Sequence, residues 1–282
     1  MTIAYFNGEY ISPDQPVIPI DERGHQFGDG IYEVIRVYNQ KPFMLDEHIE
    51  RLFTSADAIK LNIGKEKEEM KAIISELIQK SNLENLDIYL QITRGVAPRA
   101  HLFPDCPVSI SMTAKPFREM PEGLREKGIS IIFHEDERWS NCYIKSLNLL
   151  PNILAKQTAS EQGCYEAVLV RDGYITEGTS SNVFIVKNGE LWTTPLSNRI
   201  LHGVTRLAVT SIAEKLAVPL IEKHFTAEDL LHADEAFITS TTSEILPITQ
   251  AEGKIVGKGT PGEITKKLYK EFQTISRSFV TN

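Results

Sequence analysis

The sequence predicts an α+β protein of two domains, on three observations. Its 282 residues and 31.7 kDa exceed the usual size of one small core. Strands lie at the front of each half, with few βαβ spacings, which argues against a doubly wound sheet. The stretch KPFREMPEG (115–123) carries two prolines and a glycine and reads as a linker. The boundary therefore falls near Glu119, giving domains 1–119 and 120–282.

In the first half, residues 3–11 form a hairpin around Asn7-Gly8, a strong two-residue turn signal, and residues 32–37 alternate into a turn at Asn39-Gln40. Residues 46–61 place Ile49, Leu52, Phe53, Ala56 and Ile59 on one helical stripe, with Asp46 and Glu47 suited to the positive end of the dipole. A second helix spans about residues 65–80, and strands follow at 87–94 and 108–113.

In the second half, strands are expected at 128–134 and 142–145. A helix starts near Leu149, where Pro151 fits because it lies in the first turn. Lys145 is thereby placed where strand hands over to helix. Hairpins turn at Asp172-Gly173 and Asn188-Gly189, a helix runs from about 205 to 216, and 236–239 is a short buried strand.

Composition narrows the function. Thirty basic against 38 acidic side chains give a net charge of −8, which supplies no broad positive field for nucleic acid. The apolar runs stop short of membrane-spanning length, and the start MTIAYFNGEY lacks the pattern of a secretory signal, so a cytoplasmic, reducing setting is expected. Cys106, Cys142 and Cys164 form no CxxC and read as small buried hydrophobes; seven scattered histidines offer no metal-ligand spacing. GKGTPG (257–262) matches GxGxxG literally, but only 20 residues follow it, too few for a dinucleotide-binding unit.

What remains is a lysine at a strand end (Lys145), an acid in a glycine- and hydroxyl-rich turn (Glu177 in TEGTSSN), and the segments GVTR (203–206) and TSTTSE (239–244). Pyridoxal phosphate asks for such a set: an amine to condense with its aldehyde, an anion facing the pyridine nitrogen, and donors for a phosphate dianion. Gly203-Val204-Thr205 precedes a helix, whose free N–H groups suit phosphate; the alternative is that Thr205 is only an N-cap. Arg51 points about 200° from its helix's apolar stripe and on pattern alone is a surface arginine. RGVAPRAHLFP (94–104) gathers Arg94, Arg99 and His101. It reads either as a carboxylate site, with Arg99 forking onto the guest, or as a solvated basic loop.

The segments RGHQFGDGIYEVIRV (23–37), DEHIERL (46–52), TRGVAPRAHLFP (93–104), YIKSLNLLPN (143–152), GCYEAVLVRDGYITEGTSSNVF (163–184), ILHGVTR (200–206) and ITSTTSEILPI (238–248) together resemble the class IV, or fold-type IV, pyridoxal-phosphate aminotransferases. Within that family they are most similar to members that act on D-amino acids. The resemblance implies two α/β domains with the cofactor in the cleft between them and Lys145 as the cofactor-bearing, catalytic residue, in the C-terminal domain. Glu177 would face the ring nitrogen, and Arg51, Val204, Thr205 and Thr241 would hold the phosphate, which replaces the surface reading of Arg51. Tyr32, Arg99, His101 and Ser240 would bind substrate, with Arg99 and His101 supplied by the neighbouring subunit of a homodimer. The implied reaction is ping-pong transamination between a D-amino acid and a 2-oxo acid through a pyridoxamine form. Branched-chain L-amino-acid transfer and aminodeoxychorismate lyase chemistry are the alternatives within the fold, and a non-catalytic phosphate- or nucleotide-binding protein is the alternative outside it.

Overall fold

The computed structural model describes residues 2–117, 119–121 and 123–277, which divide into two units. The first begins with the hairpin β1 (Ile3–Phe6) and β2 (Glu9–Ile11), followed by α1 (Arg23–Phe27), β3 (Gly30–Tyr38), β4 (Lys41–Pro42), α2 (Leu45–Ala58), α3 (Lys67–Ser81), β5 (Leu86–Thr93) and β6 (Ser109–Pro116). Its strands form one antiparallel sheet in the order β2-β1-β6-β5-β3-β4. Asn7 and Gly8 take positive φ, as the predicted hairpin turn requires. Helix α2 packs on β3, and α3 packs on β1 and β6. Ile49, Leu52 and Ala56 of α2 and Met70, Ile74 and Leu77 of α3 are buried with Ile35, Ile88 and Leu90 of the sheet, so the predicted stripe is the core face.

The second unit contains α4 (Leu124–Lys127), β7 (Ile129–Glu135), α5 (Leu150–Glu161), β8 (Glu166–Arg171), β9 (Tyr174–Gly178), β10 (Asn182–Lys187), β11 (Glu190–Thr193), α6 (Val204–Lys215), β12 (Leu220–Glu222), α7 (Ala227–Leu231), β13 (Glu235–Ser240), β14 (Glu244–Ala251), β15 (Lys254–Ile255) and α8 (Glu263–Arg277). Its nine-stranded sheet runs β12-β11-β10-β13-β14-β7-β8-β9, with β15 on β14, and is mixed, since β14–β7, β7–β8 and β11–β12 are parallel. Phe184 and Phe237 are cross-strand partners whose rings stack at 5.0 Å inside it.

Residues 144–148 depart from the sequence reading twice. They form no strand of their own, and they pack with the first unit although the sequence boundary assigns them to the second. The cause is the short β4, which pairs only with Val37 and Tyr38 and leaves the beginning of β3 open on that side. Buried backbone donors must be satisfied. Tyr32 N–H accordingly donates to Lys145 O (3.0 Å), Leu147 N–H donates to Gly30 O (3.1 Å), and Ile31 bridges Ser146.

Two smaller points concern cysteine and the GKGTPG segment. All three thiols are free, but only Cys142 is buried; Cys106 and Cys164 are half-buried. GKGTPG is a turn before α8, and the first N–H groups of that helix, Ile264 and Thr265, are taken by the Glu235 carboxylate at 3.0 and 2.7 Å. No helix of the described residues is long and apolar enough to cross a membrane.

Candidate active site

In the first unit, Lys145 is half-buried. Its backbone N–H donates to Ser55 Oγ at 3.2 Å, and its Nζ lies 4.1 Å from the centroid of the Tyr32 ring. Tyr32 in turn stacks on Tyr89 at 5.7 Å. The Lys145 amine has no ion-pair or hydrogen-bond partner among the described residues, so it is held in place by main-chain bonds and left chemically unspent.

Behind Tyr32, the fully buried carboxylate of Glu33 accepts Arg51 Nε on Oε1 (2.7 Å) and Arg51 NH2 on Oε2 (2.8 Å), while His48 Nδ1 meets Oε2 at 2.8 Å. Arg51 is thus an enclosed, forked arginine and not the surface residue its pattern suggests. Burial would raise the Glu33 carboxyl, but Arg51 and His48 outweigh it and hold the group well below the usual carboxylate range. His48 is pushed down, first by burial and then by the Arg51 and Lys145 charges, with Glu33 opposing. Its neutral ring therefore carries the Nδ1 proton and donates it to Glu33.

The 94–104 loop divides into a buried part and an exposed part. Arg94 is buried, pairs with Asp29 (2.9 Å) and donates to Lys60 O and Ile59 O, so it is structural. Arg99 and His101 are exposed and sit together around Phe27, with the Arg99 Cζ 4.7 Å and the His101 ring 5.9 Å from its centroid.

In the second unit, Glu177 is buried at the end of β9. Its Oε1 accepts Arg138 NH1 at 2.5 Å, and its Oε2 accepts Asn182 Nδ2 (3.1 Å) and the Leu201 N–H (3.0 Å). Burial pushes the carboxyl up to about 7, against the pull of Arg138 and the Leu201 N–H. A carboxylate has about four acceptor positions. Three are occupied, which leaves one for a ring N–H. Arg138 is fixed by Asp136, whose carboxyl burial would raise but Arg138, Thr176 and Arg171 hold below the usual range. Burial pushes the neighbouring Cys142 thiol up to about 11, which removes it as a nucleophile near neutral pH.

Helix α6 begins at Val204 with Gly203 as N-cap and no side-chain cap, so Thr205 is inside the helix and the N-cap alternative is ruled out. The first-turn N–H groups of Val204, Thr205 and Arg206 have no acceptor among the described residues, as a phosphate site requires. A Cβ on Gly203 would lie 2.0 Å from Asn182 Oδ1, so this position is glycine to admit the same carboxamide that holds Glu177. Ser240 Oγ accepts the Ser243 N–H at 3.0 Å and closes the turn in which half-buried Thr241 sits.

Sequence reasoning missed Glu33, His48, Arg138, Asp136 and Asn182. One signal was present: Glu33 is an acid among apolar residues on a strand, where burial demands a cation. Arg138 and Asp136 carry no such local mark.

The family described as amino-transferase class IV matches residues 30–251. The chain is 43% identical over 269 residues to a D-alanine aminotransferase of Bacillus licheniformis, covering 95% of each chain. It is 45% identical over 270 residues to that of Listeria monocytogenes serotype 4b, covering 94% of this chain and 93% of that one. Among solved structures, the branched-chain amino acid aminotransferase of Escherichia coli superposes with a TM-score of 0.92 at 27% identity, covering 98% and 95% of the two chains. A second branched-chain amino acid aminotransferase (T.th.), solved with pyridoxamine 5′-phosphate, gives 0.91 at 25% identity, covering 98% and 94%. Matched over residues 30–251 and at 43–45% identity across nearly its whole length, this chain belongs to the class IV aminotransferases.

Proposed function

We propose that the protein transfers the amino group of a D-amino acid, such as D-alanine or D-glutamate, to a 2-oxo acid such as 2-oxoglutarate, with pyridoxal 5′-phosphate as cofactor. The observation that carries this reading is the seating of Arg99 and His101 together on Phe27, in a chain 43% identical to a D-alanine aminotransferase. A fork of guanidinium donors beside an imidazole suits the α-carboxylate common to both substrates. The branched-chain alternative draws on solved structures at 25–28% identity and leaves this pair without a task.

When bound, the cofactor supplies an electron sink for the carbanion formed at the substrate α-carbon. Lys145 Nζ would anchor it and hold or move a proton at the substrate α-carbon; an amine without an ion-pair partner among the described residues is fitted to this work. Glu177, with one acceptor position left, would face the ring nitrogen and favour its protonated form. By the class IV resemblance, Arg51, Val204, Thr205 and Thr241 would hold the phosphate, and Tyr32, Arg99, His101 and Ser240 would orient the substrate. A homodimer, with Arg99 and His101 serving the neighbouring subunit, fits the exposed Leu102 and Phe103 beside them. The residue-by-residue assignment rests on the class IV resemblance together with the geometry above.

The test is to add D-alanine and L-alanine separately to the yellow holoenzyme and follow its long-wavelength absorbance. Bleaching by D-alanine is expected; bleaching by L-alanine alone would overturn the stereochemical assignment. Borohydride reduction followed by peptide mass spectrometry should place the cofactor on Lys145, and a label elsewhere would overturn that role. Light scattering of the purified protein at the mass of one chain would overturn the dimer.

A further inference from the structure

Arg99 and His101 make no salt bridge or hydrogen bond with any other described residue. Long, unpaired side chains sample many rotamers, and ordering them on binding weakens affinity. What holds them is one ring. The Arg99 guanidinium carbon lies 4.7 Å from the Phe27 centroid, and His101 meets the same ring at 5.9 Å and 70°, an edge-to-face arrangement. A guanidinium resting on an aromatic face spends its π-surface and keeps its in-plane N–H donors free, which is the orientation a carboxylate needs.

The ring is itself anchored. Phe27 ends α1, and Gly28 at φ 65° turns the chain so that Asp29 returns to Arg23 Nε at 2.8 Å. Arg23 is 3% exposed, lies 4.8 Å from the Phe27 centroid, and donates through NH1 to Ala100 O at 2.6 Å. The backbone of Ala100, which separates the two substrate-facing residues, is therefore tied to the helix that carries the ring. Arg94, bonded to the same Asp29, fixes the start of the loop.

We propose that Phe27 is a positioning residue for carboxylate recognition: its ring sets the spacing and orientation of Arg99 and His101, and Arg23 holds the loop on it through Ala100. The inference rests on the reading of Arg99 and His101 as the carboxylate site. Because an amino acid and a 2-oxo acid share that carboxylate, both substrates depend on the ring, whereas proton movement at Lys145 does not.

The experiment measures KM and kcat of the full-length holoenzyme for D-alanine and for 2-oxoglutarate in Phe27→Leu, Phe27→Met and Phe27→Tyr, with Arg99→Met and His101→Asn as controls. Loss of two aromatic contacts should raise both KM values about fivefold in Phe27→Leu and Phe27→Met. In each, kcat should change less than about twofold. Phe27→Tyr keeps the ring and should restore the parent values, which a packing defect would not do. Phe27→Met preserves apolar bulk if the leucine variant folds poorly. Parent-like KM values in Phe27→Leu and Phe27→Met, alongside raised values in the controls, would overturn the role of Phe27 and leave the carboxylate site standing. A fall in kcat with KM unchanged would also overturn it. Parent-like KM values in the two controls would instead overturn the carboxylate reading.

Discussion

The Tyr32 N–H donates to the Lys145 carbonyl at 3.0 Å, and the Lys145 Nζ stands 4.1 Å from the centroid of the same residue's ring. The backbone of one residue thus fixes where the other begins, and its side chain limits where the amine can go. The bonds that seat Lys145 are main-chain bonds, so Lys145→Ala should fold normally and lose turnover by roughly a thousandfold or more. Circular dichroism and kcat measured together check this; near-normal kcat would remove Lys145 from the chemistry.

The Glu33, His48 and Arg51 cluster predicts acid sensitivity in two stages. The His48 pKa is lowered in the fold from its ordinary 6.5, so below that pH the unfolded chain binds a proton that the native state refuses, and stability falls with pH. The Glu33 pKa is also lowered, from 4.5, so its contribution is intact above 4.5 and is lost as pH drops further. Melting temperatures from pH 7.5 to 3 should decline in both windows. His48→Gln, which can still donate to Glu33 but does not titrate, should flatten the first decline only. Equal slopes between pH 7 and 5.5 in variant and parent would refute the assignment to His48.

Arg138 is the only side-chain cation at the Glu177 carboxylate among the described residues. Arg138→Met removes the attraction that opposes burial, while Asp136 stays paired with Arg171. The midpoint for Glu177 should then rise above its present value of about 7 by about one pH unit or more. Carbon-13 NMR of labelled glutamate carboxyls across pH is the measurement. kcat of the holoenzyme at neutral pH should fall with it, because a protonated carboxyl cannot keep the ring nitrogen charged. An unmoved midpoint would mean that burial alone sets the charge state of Glu177.

Gly203→Ala would drive a methyl into Asn182 Oδ1. That carboxamide has little freedom to retreat, since it bonds Glu177 and the Leu201 carbonyl at 3.1 and 3.0 Å. The expected cost is about 1–3 kcal/mol of stability. Disturbance of the α6 terminus and of Glu177 should also speed loss of cofactor on dialysis. A variant with parent-like melting temperature and cofactor retention would contradict the packing described.

The α+β class, the hairpins at Asn7-Gly8, Asp172-Gly173 and Asn188-Gly189, and the core face of α2 were legible in the sequence because each signal lies within a few residues: a positive φ at a turn, or apolar side chains at helical spacing. Lys145, Glu177 and the Gly203–Thr205 terminus were legible as candidates for the same reason. Tertiary structure alone decided that Arg51 is enclosed by Glu33, that Arg94 braces a loop while Arg99 stays unspent, and that residues 144–148 complete the open edge of β3. The Arg138–Glu177 pair was likewise invisible, since its two members lie 39 positions apart, as was the bond from Thr176 to Asp136 across 40. These facts are set by which groups the packed backbone brings within hydrogen-bonding distance, and a burial energy that depends on residues remote in the chain leaves no trace in local spacing.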